Sequence, residues 1–179
     1  AQACADSVPI MFIPDGIPLI TSDVSPSFIS SKNFTDITKW SKSINDSNRI
    51  VPLMKRAFHS LKNGRPSPVL IEMHRDHMTQ EVSNFKQYNS PHQSKFFPTD
   101  DFIDSAVKLL VESENPIIWS GQGVLYSSAT EELKELSSLL SLPVITTMPG
   151  KSSFDERNPL SLGSANRTAP KTVWKYLGI

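Results

Sequence analysis

The first candidate ligand site is the turn Gly121-Gln122-Gly123, which follows the apolar run 116–120 and precedes a helical pattern. Glycines at the end of a buried strand let the backbone approach a ligand closely, and exposed amides there can hold a phosphate group. The dinucleotide-binding fingerprint needs a third glycine near Tyr126, and none is present there. From this motif alone, a nucleotide site and a plain tight turn are both open.

A second turn with similar chemistry follows the apolar run 143–148. Thr146, Thr147 and Lys151 carry groups that can contact a phosphate or a ribose, and Gly150 has no side chain to obstruct a ligand. Ligands of open parallel sheets bind beyond the carboxyl ends of the strands, where we expect both turns. The two turns together favour a bound cofactor, and a solvated loop is the alternative.

Metal and thiol chemistry have less support. His74 and His77 form a His-x-x-His pair whose nearest further ligands are Asp76 and Glu81. A structural zinc site needs a fuller ligand set, so we predict no metal site and interpret both histidines as surface polar residues. Cys4, the single cysteine, has no neighbouring base, so we interpret it as a packing residue and not as a nucleophile.

Composition excludes several classes of partner. Lys and Arg number 18 and so do Asp and Glu, which gives a formal net charge of zero. No long-range field would attract nucleic acid or an anionic membrane, and the apolar run 8–13 is too short to span a bilayer. One cysteine cannot form an internal disulfide. We therefore expect a reducing compartment, the cytoplasm or an organelle matrix.

The first half of the chain predicts a strand, a helix and a strand. The apolar run 8–13 reads as a buried strand that ends at a turn over 14–16, and 37–44 reads as a short strand. Asp46 or Ser47 can cap a one-faced helix that stops at Asn63-Gly64, and a strand returns over 68–73. This order predicts a right-handed parallel crossover.

The second half repeats the alternation after a polar stretch. A helix opens at Thr99, a strand covers 116–120, and a capping box of Ser128 and Glu131 begins the next helix. A strand over 143–148 is followed by a loop over 149–170 and a final helix with Trp174 and Leu177. Two strands are too few to cover these helices, so this domain is expected to be truncated.

These elements predict an α/β fold of two partial three-layer parallel-sheet domains of Rossmann-like type. Residues 1–76 form the first, 77–98 an interdomain linker, and 99–179 the second.

Six segments resemble thiamine-diphosphate-dependent enzymes, in the same order along the chain. Segments 6–10, 37–40 and 63–72, the last followed by Arg75-Asp76, resemble the latter half of the pyrimidine-binding domain. Segments 116–123, 143–150 and 158–163 resemble the start of the central domain, which binds FAD or ADP in some members. Thr38-Lys39-Trp40 is closest to acetolactate synthase, with glyoxylate carboligase, sulfoacetaldehyde acetyltransferase, benzoylformate decarboxylase and oxalyl-CoA decarboxylase as alternatives.

The resemblance implies thiamine diphosphate and Mg²⁺ as cofactors, and a 2-keto acid or an acyl-CoA as substrate. It places the activating glutamate before these residues and the metal-binding Gly-Asp-Gly motif after them, so we expect no catalytic residue here and no catalysis by this segment alone. It also implies a homodimer or homotetramer. The alternatives are a nucleotide-binding module without catalysis and a structural module that mediates assembly.

The resemblance also assigns roles to particular residues. Gly121, Gln122 and Gly123 match the glycine turn that meets FAD or ADP. Thr147 and Gly150 match the next cofactor-facing loop, and Gly163 matches the third. Lys39 matches a lysine beside the substrate channel. Two family contacts are missing, because 14–16 reads Pro-Asp-Gly instead of Thr-Gly-Gln and Phe34 is followed by Thr35 instead of Gln.

Overall fold

The structure is a computed structural model that describes residues 1–22, 24–82, 88–92, 94–165 and 169–178. Its packing divides the chain into two compact units, Ala1–Phe96 and Phe97–Ile179. Each unit has its own parallel sheet, of four strands in the first and three in the second. The predicted α/β fold with two partial Rossmann-like domains is confirmed.

The longest strand of unit 1, Val69–His74, pairs with all the other strands of its sheet. Its elements are α1 (Gln2–Ala5), β1 (Met11–Phe12), β2 (Asp15–Gly16), α2 (Ser30–Asn33), β3 (Trp40–Ile44), α3 (Ile50–Lys62) and β4 (Val69–His74). Short 3-10 helices cover Leu19–Thr21, Thr35–Ile37, Ser47–Arg49 and Arg75–His77. β3 pairs with one edge of β4, and β1 and β2 pair with the other.

β1 and β2 are two parts of one strand, which corrects the predicted turn over 14–16. The pairs are Met11↔Val69, Phe12↔Leu70, Asp15↔Met73 and Gly16↔His74. Pro14 separates β1 from β2 because it has no N–H to donate, yet its carbonyl oxygen accepts from the Met73 amide at 3.1 Å. Proline at a sheet edge tolerates this continuation, so the turn-like composition was misleading.

The core of unit 1 lies between α3 and β4. It consists of Ile44, Leu53, Ala57, Val69 and Ile71, with partly buried neighbours from β1, β3 and α3. The helical period of α3 and the apolar run of β4 predicted both elements correctly. The turn before α3 begins at Asp46, whose Oδ1 accepts from the Asn48 amide at 2.9 Å.

The described part of 77–98 contacts unit 1. The Tyr88 ring lies 5.8 Å from that of Phe58. Lys62 Nζ donates to Ser90 Oγ at 2.6 Å, and the Ser94 amide donates to Asn63 Oδ1 at 2.7 Å. This segment is therefore attached to the carboxyl-terminal part of α3.

Unit 2 contains a strand that the sequence did not predict. Its elements are α4 (Asp100–Glu112), β5 (Ile118–Ser120), α5 (Gly123–Tyr126), α6 (Thr130–Leu140), β6 (Val144–Thr147), β7 (Ser161–Ala165) and α7 (Lys171–Leu177). The order is β5-β6-β7, all parallel. The predicted loop over 149–170 therefore contains β7, and the expected two-stranded sheet has three strands.

Two further details of unit 2 differ from expectation. Ser128 has φ of +54° and α6 is preceded by Ala129 without a side-chain cap, so the predicted capping box is wrong. α4 forms as predicted but buries no residue, and Phe102 and Leu109 are 72% and 70% exposed. The core lies instead around Leu133, Val144 and Phe154. No helix among the described residues is long and apolar enough to cross a membrane.

Candidate functional site

The carboxyl ends of β5 and β6 bring the two predicted turns into contact. A Cβ atom added to Gly150 would lie 2.8 Å from the Gly121 carbonyl carbon and 2.8 Å from the Ser120 oxygen. Next to Gly121 in the chain, the buried hydroxyl of Ser120 shares a hydrogen bond of 2.6 Å with the hydroxyl of Ser153. Gly150 is buried against neighbouring backbone, so its lack of a side chain serves this packing.

Gly121 and Gly123 face a different environment. A Cβ atom added to either glycine would meet no atom within 4 Å. Between them, Gln122 Nε2 donates to Tyr126 Oη at 2.7 Å, which ties the turn to α5. The backbone of this turn is therefore accessible to a ligand, as the nucleotide interpretation requires.

Thr147 stabilises the second turn. Its Oγ1 accepts from the Gly150 amide at 3.0 Å, and that amide also donates to the Thr147 carbonyl oxygen. The neighbouring Thr146 hydroxyl bonds to Ser164 Oγ at 2.9 Å and joins β6 to β7. The Thr147 hydroxyl keeps a proton that it can donate.

A cleft of about 440 Å³ lies beside β7 in unit 2. The described residues that line it are Met148, Lys151, Glu156, Ser161, Leu162, Gly163, Ser164, Pro170 and Thr172. Lys151 Nζ lies 3.5 Å from Glu156 Oε1, so the cleft contains one charge of each sign with several hydroxyl and backbone groups. Such a lining suits a polar ligand of nucleotide size.

Two residues of this lining, Lys151 and Gly163, were candidates from the sequence, and Gly163 has a special backbone conformation. It has φ of +90°, a conformation that favours glycine, and it lies at a register irregularity between β6 and β7. Ser164, Thr172 and Glu156 were not singled out from the sequence. Ser164 lies in the unpredicted strand β7, and Glu156 and Thr172 lie before and after it in the chain, so the sequence offered no reason to group the three residues.

Asp155 and Arg157 form an exposed ion pair in the loop before β7. The Arg157 guanidinium donates to both carboxylate oxygens, at 3.1 and 3.0 Å, and its amide donates at 3.0 Å. These side-chain and backbone hydrogen bonds lower the pKa of Asp155 from 3.8 to about 2. They raise the pKa of Arg157, which remains a cation.

Lys39 in unit 1 is engaged by backbone. Its ammonium donates to the carbonyl oxygens of Ser60, Asn63 and Arg65, at 2.8, 2.7 and 3.2 Å. An ammonium has three donors, so this set uses all of them at the carboxyl end of α3. The geometry assigns Lys39 a helix-capping contact, and its role beside a substrate channel stays a prediction.

His74 and His77 are buried, which corrects their interpretation as surface residues. They are 5% and 6% exposed, and their ring centroids lie 6.4 Å apart. His74 Nδ1 donates to the Ile17 oxygen at 2.6 Å, and Nε2 shares a hydrogen bond of 2.7 Å with Ser43 Oγ. His77 Nδ1 donates to Gln80 Oε1 at 2.8 Å.

Metal ligands do not cluster in the described part of the chain. No group of three or more His, Cys, Asp or Glu side chains there could hold an ion. These residues do not fit Mg²⁺. The backbone at Gly121 and Gly123 is open, and the cleft with Lys151 has a polar lining, so both leave room for a polar ligand.

Comparisons with known proteins agree with this architecture. Residues 103–177 match the family model described as thiamine pyrophosphate enzyme, central domain. The acetolactate synthase large subunit of Cyanidium caldarium is 36% identical over 180 residues, which is 91% of this chain and 29% of that protein. A probable acetolactate synthase large subunit of Methanocaldococcus jannaschii is 34% identical over 182 residues, 97% of this chain and 31% of that protein.

A solved structure supports the fold. A Mycobacterium smegmatis protein described as a thiamin diphosphate-dependent enzyme superposes with a TM-score of 0.78 and 17% identity, over 92% of this chain and 32% of that one. The chain spans about 30% of the length of the relatives that it matches. Residues 103–177 thus match the central domain of thiamine pyrophosphate enzymes, and the chain is similar to acetolactate synthase large subunits over most of its length.

Proposed function

We propose that these 179 residues are a section of a thiamine-diphosphate-dependent carboligase or decarboxylase of the acetolactate synthase type, with a 2-keto acid or an acyl-CoA as substrate. The observation that carries the proposal is homology through both units, over 91% of the chain. Because this corresponds to 29% of that relative, the activity would belong to a longer polypeptide. Thiamine diphosphate, which supplies the electron sink for decarboxylation, and Mg²⁺ would be held there by residues outside this section.

The direct test uses the protein as its gene encodes it. The reading frame is sequenced on both sides, and the purified product is assayed for acetolactate formation from pyruvate with thiamine diphosphate and Mg²⁺. We expect turnover that disappears when thiamine diphosphate is left out. A folded product that consumes neither pyruvate, glyoxylate nor oxalyl-CoA would contradict the proposal.

The central domain would bind FAD or ADP. The open turn at Gly121–Gly123 would receive the phosphates, and Lys151 and Gly163 would face the remainder of the nucleotide. Gly121→Ala tests this, since the added methyl group meets no atom of the protein within 4 Å. We expect unchanged stability and at least tenfold weaker binding of FAD or ADP by calorimetric titration.

The control for this test is Ser138→Ala at an exposed position of α6, which leaves the turn intact. Equal affinity of both variants and the wild type would refute a cofactor at the glycine turn. Saturable nucleotide binding without any thiamine-diphosphate-dependent turnover would favour the second candidate, a nucleotide-binding module without catalysis. The same open turn and cleft support that candidate.

We also propose that the protein is a homodimer or homotetramer. α4 exposes Phe102 and Leu109, which lie seven residues apart on one face and are 72% and 70% accessible. An uncovered apolar helix face of this kind favours association. Light scattering of the encoded protein should give a mass of two or four copies, and a monomeric mass at micromolar concentration would contradict this.

A further inference from the structure

The connection between β2 and β3 has little regular structure of its own. Residues 17–39 contain, in their described part, the 3-10 helices Leu19–Thr21 and Thr35–Ile37 and the four-residue helix α2. A connection of this length is uncommon in a compact domain unless it is functional or held by other elements. Here it is held by side chains from the end of β4 and from the turn that follows it.

The strongest of these attachments is the Glu72 carboxylate. Glu72 is 1% exposed, and its Oε1 and Oε2 accept from the amides of Ser30 and Ser31 at 2.9 and 3.2 Å. These are the first two amides of α2, which have no partner within the helix. A buried carboxylate is unfavourable unless it is hydrogen-bonded, so Glu72 and α2 satisfy each other.

Two further side chains hold the start of the same connection. The Leu19 amide donates to Asp76 Oδ2 at 2.6 Å, and the His74 ring donates to the Ile17 oxygen at 2.6 Å. Glu72, His74 and Asp76 lie at alternate positions of the sequence. Together they hold the connection at three places, at Ser30 and Ser31, at Ile17 and at Leu19.

Gly16 on the neighbouring strand leaves the space that this arrangement needs. A Cβ atom there would lie 2.8 Å from His74 Nδ1 and 3.1 Å from Glu72 Cγ. The connection in turn carries two aromatic rings, since Phe28 and Phe34 meet edge to face at 6.0 Å. Phe28 is 60% exposed, and Phe34 also meets Phe12 of β1 at 5.8 Å, so the pair lies beside β1 and is partly open to solvent.

We propose that Glu72 is a positioning residue, which holds α2 and thereby sets the course of the connection that begins at the carboxyl ends of β2 and β4, where substrate would bind. This inference rests on the proposed function, because ligands of parallel sheets bind beyond the carboxyl ends of the strands. Glu72 does not touch the reacting atoms in this role. It acts through the backbone of Ser30 and Ser31.

Hydrogen exchange of single amides tests the attachment in the encoded protein. Glu72→Gln keeps the shape of the side chain but replaces one acceptor oxygen by a donor that would face an amide. We expect the Ser30 and Ser31 amides to exchange at least tenfold faster than in the wild type, with the exchange of α3 unchanged. Asp36→Asn is the matched control, because Asp36 is an exposed acid of the same connection. It should change neither the exchange of the Ser30 and Ser31 amides nor that of α3.

Exchange at Ser30 and Ser31 within twofold of the wild type would overturn the proposal. If Glu72→Gln does not fold, Glu72→Asp decides by the same measurement, since its shorter side chain keeps the charge but cannot reach both amides. The Gln variant should also lose at least tenfold in kcat/KM for the 2-keto acid, and the Asp variant should recover part of that loss. Faster exchange at Ser30 and Ser31 with an unchanged kcat/KM would refute the positioning role of Glu72. A wild-type protein without turnover would refute the proposed function, but it would not affect the hydrogen bonds between Glu72 and α2.

Discussion

Replacing Lys39 by methionine should destabilise unit 1, because the ammonium caps the carboxyl end of α3. It donates to three carbonyl oxygens, those of Ser60, Asn63 and Arg65. The last carbonyls of a helix have no partner within it, and a cation there also interacts favourably with the helix dipole. Methionine keeps the length of the side chain and removes only these interactions.

The expected loss is about 1–2 kcal/mol in the free energy of unfolding. A hydrogen bond to a charged group contributes roughly 1.5–3 kcal/mol when it is shielded from water. Lys39 is an exposed residue, so water replaces part of what is lost, and the three bonds share one ammonium. The cation at the helix end adds about 0.3–1 kcal/mol at the surface. We therefore expect a total of about 1–2 kcal/mol, near the lower end of the value of one shielded bond.

Urea unfolding followed by Trp40 fluorescence measures this loss. Trp119→Phe and Trp174→Phe in the background leave Trp40, in unit 1, as the one tryptophan of the chain. Lys42→Met is the matched control, because Lys42 is an exposed lysine of β3, three residues after Lys39. We expect the control to change stability by less than about 0.5 kcal/mol.

Equal stability of the Lys39 and Lys42 variants would refute the capping argument. A Lys39 variant of unchanged stability that binds the 2-keto acid at least tenfold more weakly would instead support the role beside the substrate channel. The two outcomes distinguish the substrate-channel role that the sequence suggests for Lys39 from the capping role that its hydrogen bonds indicate.

Three other predictions concern unit 2. Gly150→Ala should cost about 1–3 kcal/mol in urea unfolding because its methyl group would overlap backbone at 2.8 Å, and a cost below about 0.5 kcal/mol would contradict this. Ser153→Ala should cost about 1–3 kcal/mol by the same assay, since it leaves the buried Ser120 hydroxyl without its partner, and an unchanged transition would refute it. Arg157→Ala should raise the pKa of Asp155 from about 2 toward 3.8 in an NMR titration of the carboxyl group, and an unmoved midpoint would show that the ion pair is not its cause. Because the folded pKa is the lowered one, the pair stabilises the loop above pH 3.8 and loses this effect as pH falls through about 2.

Elements with strong local patterns were predictable. The one-faced apolar period of α3, the apolar run of β4 and the apolar run of β6 each specify an element from within a short window, because burial of a face requires that spacing. β7 could not be found in this way. Its residues Ser161-Leu-Gly-Ser-Ala165 contain a glycine and no β-branched side chain, and it forms by pairing with β6.

The candidate site shows the same division. The glycine turn at Gly121–Gly123 was recognisable because a small residue after a buried strand has local meaning. The packing of Gly150 on Gly121 was not, since the contact depends on two strands lying side by side. The burial of His74 was also missed, because its partners Ser43 and Ile17 come from other parts of the chain.

By itself, the sequence determined the alternation of apolar strands and one-faced helices, the resemblance to thiamine-dependent enzymes and the chemical types available at each turn. Only the tertiary structure decided which polar groups already have partners. Lys39 and Glu72 carry charges that could serve a ligand, yet in the fold their donors and acceptors are taken by backbone groups. The physical reason is that the backbone groups at helix ends need partners, and the side chain that meets this need is chosen by proximity in space.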